Sequence, residues 1–302
     1  MEELINFNEK IIINIKNRNK QLYKIRNSLN INNIYFNKSK DKSSSRASGD
    51  LGKSANIIIK KKFKCFYTNA TSLSNKLPFL ESLFAMEEPD AVFVSETWFK
   101  ENSCPSFENY TLHRKDRVGQ RNGGGVCIYI KKSINFYSYD LNEYDLGFTD
   151  SSIETVWCCC LVNNEKLLLG CIYRPGDASE TANKEINKVF IKANELVKKG
   201  EFSGLLITGD FNYGDIDWDE SMQGSLSSNC GKHTRFLESV EESGVYQNFN
   251  CKTFQTSDGN LTNTLDLIFT DSENRIDAVQ TGPPLGVQLK KAHLVLSFEL
   301  GI

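Results

Sequence analysis

Short apolar runs in this chain stop, one after another, on a polar residue of a particular kind. Phe63–Thr68 runs into Asn69, Ala91–Ser95 into Glu96, Lys166–Ile172 into Tyr173, and Gly204–Gly209 into Asp210. Asp266 sits inside Thr264-Leu-Asp-Leu-Ile-Phe, and His293 stands just before Leu294–Leu300. Runs this short, bounded by turn formers, read as buried strands. Burying a carboxylate or imidazole unpaired costs kilocalories. These groups therefore belong where strands run out into loops, the usual place of binding and catalytic residues.

Between these strands the pattern switches to helical spacing. Lys76–Glu87 carries Pro78 near its start, where proline is tolerated. Glu180–Lys199 has apolar residues at Ile186, Val189, Phe190, Ala193, Leu196 and Val197. Lys232–Gly244 ends on a glycine. Glu154–Val162 and Lys166–Tyr173 form an expected hairpin around Asn163-Asn164, and Gly123-Gly-Gly leads into another strand. Many strands with a few long helices predict an α/β layered fold around a large sheet core.

The chain divides by charge. Residues 1–64 hold 15 Lys/Arg against 5 Asp/Glu, and residues 65–302 hold 21 against 33. The Asn/Lys/Ser-rich segment 1–55 is expected to be a basic extension and linker, with the folded domain occupying 56–302. Leu4, Ile11, Ile15, Leu22, Ile25 and Leu29 form a heptad-like stripe that offers weak self-association through residues 4–29, although Asn and β-branched residues lower its helix propensity. A basic arm of this kind is either a nucleic-acid-attracting tail or a solvated one.

No apolar run approaches the roughly 18 residues of a membrane span. Nor does the N-terminus, Met1-Glu2-Glu3, open a stretch of signal-peptide length. The expectation is a protein of the nucleus or cytoplasm, not secreted and without a membrane partner. The nine cysteines form no C-x-x-C motif and no zinc spacing with the three histidines, so all nine are expected to be reduced packing residues. Trp98 and Trp218 are likewise expected to pack.

Taken singly, each strand-ending residue has a structural explanation: Asp210 as a turn residue, Asn69 in an Asx-turn, His293 as a satisfied histidine at a strand edge. Jointly they make chemical sense. A hard cation such as Mg²⁺ takes oxygen ligands, usually one or two carboxylates, and Glu96 can supply one. His293 paired with Asp266 is a positioned proton handler or phosphate partner. Asp210 with Asn212 can activate and orient a water, and Tyr173 can donate to a phosphate oxygen. The set suits metal-assisted phosphodiester hydrolysis. Nothing in it calls for an organic cofactor.

At these residues the chain resembles the endonuclease/exonuclease/phosphatase superfamily. The shared motifs, in order, are Thr68-Asn-Ala-Thr-Ser-Leu73, Ser95-Glu-Thr-Trp98, Ile172-Tyr-Arg-Pro175, Gly209-Asp-Phe-Asn212, Leu265-Asp266 and Ala292-His-Leu294. Within the superfamily it is most similar to the apurinic-type endonuclease domain of LINE-type (non-LTR) retrotransposons. The markers are Asn75-Lys76-Leu77, Glu88-Pro-Asp90, Arg114-Lys-Asp-Arg117 before Gly123-Gly-Gly125, Gly209 through Trp218, and Asn263-Thr-Leu-Asp-Leu267. The resemblance implies a four-layer α/β sandwich of the deoxyribonuclease-I kind, two packed mixed sheets flanked by helices. It also implies a DNA-nicking endonuclease using Mg²⁺, with Mn²⁺ as a substitute. By carry-over, Glu96 binds the metal with Asn69 nearby, and Asp210 activates the attacking water that Asn212 orients. Tyr173 and His293 contact the scissile phosphate, and Asp266 orients His293.

One departure stands out. The family's usual Ser-Asp-His is Lys291-Ala292-His293 here, so the carboxylate oxygen beside metal and phosphate is missing. Weaker metal binding or a lower rate is expected. The chain also stops at Ile302 with no reverse transcriptase after it, and a truncated copy, a gene fragment or an independent product are all expected readings. DNA must approach an acidic domain, and Arg114, Arg117, Arg121, Lys290 and Lys291 are the candidate contacts. The alternatives are a decayed remnant that keeps the fold, and a superfamily phosphatase acting on a non-DNA phosphoester.

Overall fold

The computed structural model describes residues 62–103, 105–119, 123–137, 144, 146–147, 153–227, 231–286 and 291–302, without the side chains of 135–137. The basic extension with its stripe at 4–29 lies outside them, as do Arg121, Lys290, Cys104 and Cys230.

Two six-stranded sheets carry the fold. In chain order their strands and helices begin with β1 (Lys62–Asn69), α1 (Leu77–Glu87), β2 (Ala91–Ser95), β3 (Tyr110–Lys115), β4 (Val126–Lys131) and β5 (Asn135–Tyr137). Next come β6 (Glu154–Val162), β7 (Glu165–Tyr173), α2 (Glu180–Lys198), β8 (Gly204–Asp210), β9 (Ile216–Trp218), β10 (Gly224–Leu226) and α3 (Gly231–Ser243). Last are β11 (Tyr246–Gln247), β12 (Phe254–Gln255), β13 (Asp266–Thr270), β14 (Ile276–Gly282), β15 (Ala292–His293) and β16 (Val295–Gly301). The first sheet runs β14-β16-β1-β2-β4-β3 and the second β11-β13-β8-β7-β6-β5. The pairs β9–β10 and β12–β15 stand apart as short ladders.

Alternating side chains of the central strands build the layers. Phe63, Cys65 and Tyr67 of β1 and Phe93 of β2 share one buried cluster with Cys158, Cys160, Leu169 and Cys171 of the opposite sheet. The alternate residues of β7 and β8, Leu168, Ile172, Leu205 and Ile207, face outward and pack on Ile186, Phe190 and Ala193 of α2. On the other side Val92 and Val94 pack on Leu80 and Phe84 of α1. The result is helix, sheet, sheet, helix, the expected four-layer sandwich.

Local chemistry sets the element ends. Ser179 caps α2 by accepting from the Ala182 N–H at 3.0 Å. Glu88 closes α1 in a left-handed conformation, with Pro89 next to prevent continuation. Asn163 and Asn164 take φ of 50° and 69°, the pair of positive angles a tight hairpin between β6 and β7 requires.

Two connections place the polar strand ends. β1–α1–β2 and β7–α2–β8 are both parallel crossovers, one in each sheet. Parallel strands linked in this way present their C-terminal ends on the same side, where open α/β sheets bind ligands. Those ends are Asn69 and Ser95-Glu96 in one sheet, Tyr173 and Asp210 in the other. Ile172 and Gly209 are neighbours across β7 and β8, and a Cβ on Gly209 would lie 1.9 Å from the Ile172 carbonyl oxygen.

The edge strands escape sequence reading. β3 and β14 are largely polar and partly exposed, so neither shows an apolar run. Six of the described cysteines pack as expected, but Cys251 is exposed. It follows Asn250 in a loop ahead of β12 and belongs to no core cluster.

Candidate active site

Asp210 and Asp266 face each other across the antiparallel pair β8 and β13, both fully buried. Two buried carboxylates this close demand compensation, and each has it. Asp266 accepts from His293 Nδ1 at 2.7 Å on one oxygen and from the Tyr67 hydroxyl at 2.8 Å on the other. Tyr67 also meets the Ser95 hydroxyl at 2.8 Å. Asp210 accepts from Asn69 Nδ2 at 2.8 Å and from the Asn212 backbone N–H at 3.1 Å. His293 Nε2 stands 3.9 Å from Asp210. A polar chain therefore runs from Asn69 through Asp210 and His293 to Asp266 and Tyr67, joining both sheets.

The protonation states follow from this packing. Burial pushes the Asp210 carboxyl up, to about 7, against the pull of nearby His293 and the Asn69 hydrogen bond. For His293, burial favours the neutral ring, but the Asp266 and Asp210 carboxylates outweigh it and raise the group to about 9. At neutral pH the imidazole is protonated while Asp210 is poised to take or release a proton.

Glu96 lies across this cleft, half-buried, in a left-handed conformation with φ of 53°. Its carboxylate accepts from the Trp98 indole N–H at 3.0 Å. It is also hydrogen-bonded to Tyr173, whose hydroxyl burial and the Glu96 charge push well above its ordinary range. The Tyr173 phenol therefore stays protonated as a donor.

Three nearby acidic groups against one imidazolium leave an excess of negative charge, which suits a hard divalent cation. Asp210, Asp266 and His293 offer atoms within 4.8 Å of one another. They make a poor ligand set, however. A protonated His293 has no lone pair to give, and the Asp266 charge is committed to that imidazolium at 2.7 Å. Glu96 is the better-suited carboxylate. Asn69, expected near the metal, turns its Oδ1 to the Thr71 N–H at 2.9 Å and the Thr71 hydroxyl at 3.2 Å. Its Nδ2 is directed to Asp210. Asn212 likewise turns its Nδ2 to the Arg174 carbonyl at 2.9 Å. Ala292 is buried on β15 and brings only a methyl group.

The basic candidates are largely spoken for. Arg114 donates to the Ser103 carbonyl at 2.8 Å and pairs with Asp116. Arg117 forms a two-pronged pair with the buried Glu154, at 2.5 and 3.0 Å, with its guanidinium 5.6 Å from the Tyr173 ring centre. Of the five, Lys291 is described and exposed.

Sequence reasoning missed the supports. Arg174, the neighbour of Tyr173, is fully buried. It donates to Asn183 at 2.7 Å and to the Phe211 and Asn212 carbonyls at 3.0 and 3.3 Å, and it lies over the Tyr213 ring. It thereby holds the loop after Asp210. The signal was present in Tyr173-Arg-Pro, an arginine directly after a buried strand. Glu154, opposite Tyr173 in the β6–β7 ladder, gave no such signal. Trp98 was expected to pack, yet the residue is 40% exposed; Trp218 is buried as expected.

Solved structures with the same layers identify the architecture. The endonuclease domain of TRAS1, a telomere-specific non-LTR retrotransposon, superposes with a TM-score of 0.58 at 14% identity, covering 80% of this chain and 99% of that one. The AP endonuclease LMAP from Leishmania major gives 0.61 at 13% identity, over 80% and 88%. An endonuclease/exonuclease/phosphatase family protein from Leptotrichia buccalis gives 0.53 at 13%, over 80% and 100%. This chain has the endonuclease/exonuclease/phosphatase fold. Residues 167–286 also match the endonuclease-reverse transcriptase family, a span that takes in Tyr173, Asp210, Asn212 and Asp266. No curated protein matches the chain in sequence. In this fold the polar cluster occupies the strand ends where the two sheets meet. The cavity of about 430 Å³ lined by Met222, Val240, Tyr246, Phe249 and Ile276 contains none of the cluster's residues. Among the described residues no helix is long and apolar enough to cross a membrane.

Proposed function

We propose that this chain is a divalent-metal-dependent phosphodiester hydrolase that nicks DNA, of the non-LTR retrotransposon endonuclease kind. The observation that carries the reading is the linked pair Asp210 and His293, one poised near neutrality and the other held protonated by Asp266. Phosphodiester hydrolysis needs both: a base for the attacking water and a cation for charge gathering on the phosphate. Asp210 takes the proton of the water, steadied by Asn69 and the Asn212 N–H. The imidazolium of His293 and the phenol of Tyr173 donate to phosphate oxygens. Glu96 would hold the ion, Mg²⁺ or Mn²⁺, which when bound supplies Lewis-acid stabilisation of the phosphoryl and leaving oxygens. DNA as substrate draws support from the similarity to the TRAS1 endonuclease domain and to an AP endonuclease.

A second reading, a site that binds DNA but has decayed, is favoured by the Ala292 methyl where the family presents a carboxylate. Incubating the full chain with supercoiled plasmid in Mg²⁺ or EDTA, beside His293→Ala and Ala292→Asp, separates the two. Mg²⁺-dependent nicking that His293→Ala lowers at least a hundredfold supports the nuclease. Nicking only by Ala292→Asp supports the decayed site, and silence from every protein refutes DNA cleavage.

A further inference from the structure

Glu96 and Trp98 both hold left-handed backbone conformations, with φ of 53° and 54°. A bulky residue there is strained, and such strain persists only where neighbouring structure over-determines it. Two loops do so here. The Ser72 and Leu73 N–H groups donate to the carbonyls of Glu96 and Thr97 at 2.9 and 3.0 Å. The Thr97 and Trp98 N–H groups donate to the carbonyls of Gly125 and Gly124 at 3.2 and 3.0 Å. Thr97 is fully buried between them, and a Cβ on Gly125 would sit 2.5 Å from its hydroxyl.

This clamp aims the Trp98 side chain. Trp98 as a residue stays 40% exposed, so burial alone does not fix its ring. Its N–H instead donates to Glu96 Oε2 at 3.0 Å. Gly123 borders both groups: a Cβ there would lie 3.6 Å from the indole nitrogen and 3.8 Å from Glu96 Oε1. A half-buried carboxylate at a cleft wall still has several rotamers open to it. A donor fixed by the backbone removes that freedom, as partners of metal-binding carboxylates commonly do.

We propose that Trp98 is a positioning residue that fixes the Glu96 carboxylate for a divalent cation. The proposal rests on Glu96 as the metal-holding group. Its first test needs no metal. Full-length protein labelled with ¹⁵N-tryptophan has three indole N–H groups, from Trp98, Trp157 and Trp218, and Trp98→Phe assigns one resonance by its loss. Glu96→Ala is expected to move that resonance upfield and to speed its solvent exchange at least tenfold. An unmoved resonance overturns the proposal. In the second test, Mg²⁺ is titrated while the Trp98 resonance and plasmid nicking are followed. Trp98→Phe is expected to raise the half-saturating Mg²⁺ about tenfold, with excess Mg²⁺ restoring most of the rate. An unchanged half-saturation overturns the positioning role. If the indole responds to Glu96→Ala but Mg²⁺ shifts neither signal in the unmutated chain, the metal reading of Glu96 fails instead.

Discussion

Asp266→Asn isolates what the buried carboxylate does for His293. Asparagine keeps the shape and an acceptor for the Tyr67 hydroxyl, but it removes the charge facing Nδ1 at 2.7 Å. His293 sits at about 9 because the carboxylates outweigh burial. Without the Asp266 charge, burial has less to oppose it and the group falls toward or below its ordinary 6.5. The linkage sign follows. A group raised on folding stabilises the native state fully below its unfolded value, and that contribution fades as pH rises through the folded value. The native chain binds the extra proton between 6.5 and about 9, so its stability should drop by about 2 kcal/mol from pH 7 to pH 9. Buried thiols such as Cys65 and Cys127 are also raised and pull the same way at the alkaline end. The informative quantity is therefore the difference between the two proteins in urea unfolding across that window. The Asp266→Asn chain should lose about 2 kcal/mol less than the unmutated chain over the same range, and its nicking at pH 7.5 should fall about a hundredfold. Parallel stability curves, or a pH–rate profile that does not move, would refute the assignment of His293 as a cation held by Asp266.

Other outcomes follow from the same geometry. Asn69→Ala removes a donor that lowers the Asp210 carboxyl, so the acid limb of the pH–rate profile should move upward; an unmoved limb would separate Asn69 from the base. Glu154→Gln leaves Arg117 without its buried partner and should cost about 3 kcal/mol in a urea titration, while replacing both residues by apolar ones of similar size should recover most of it. Gly209→Ala drives a Cβ into the Ile172 carbonyl, and the protein should fail to accumulate in soluble form or melt well below the unmutated chain.

The central strands and long helices were legible because burial writes itself into sequence. β2 is five buried residues in a row, and α2 shows its inward face at Ile186, Val189, Phe190 and Ala193. Asn69, Glu96, Tyr173, Asp210, Asp266 and His293 were legible for the opposite reason: each interrupts or ends such a run with a group a core does not choose. Edge strands β3 and β14 left no trace, since solvent accepts polar side chains on one or both faces there.

What the sequence alone determined is the inventory of the core: which buried strands exist, and which chemically capable residues end them. Which partner each residue meets was settled by the packing of two sheets. Asn69 and Asp210 are 141 residues apart yet share a hydrogen bond, as do Tyr67 and Asp266 across 199. Arg114 and Arg117 were candidate phosphate contacts in sequence; that the fold turns one to the Ser103 carbonyl and the other to Glu154 was not written there. A side chain's chemistry is local, but its protonation state and its free lone pairs depend on neighbours that only long-range packing supplies.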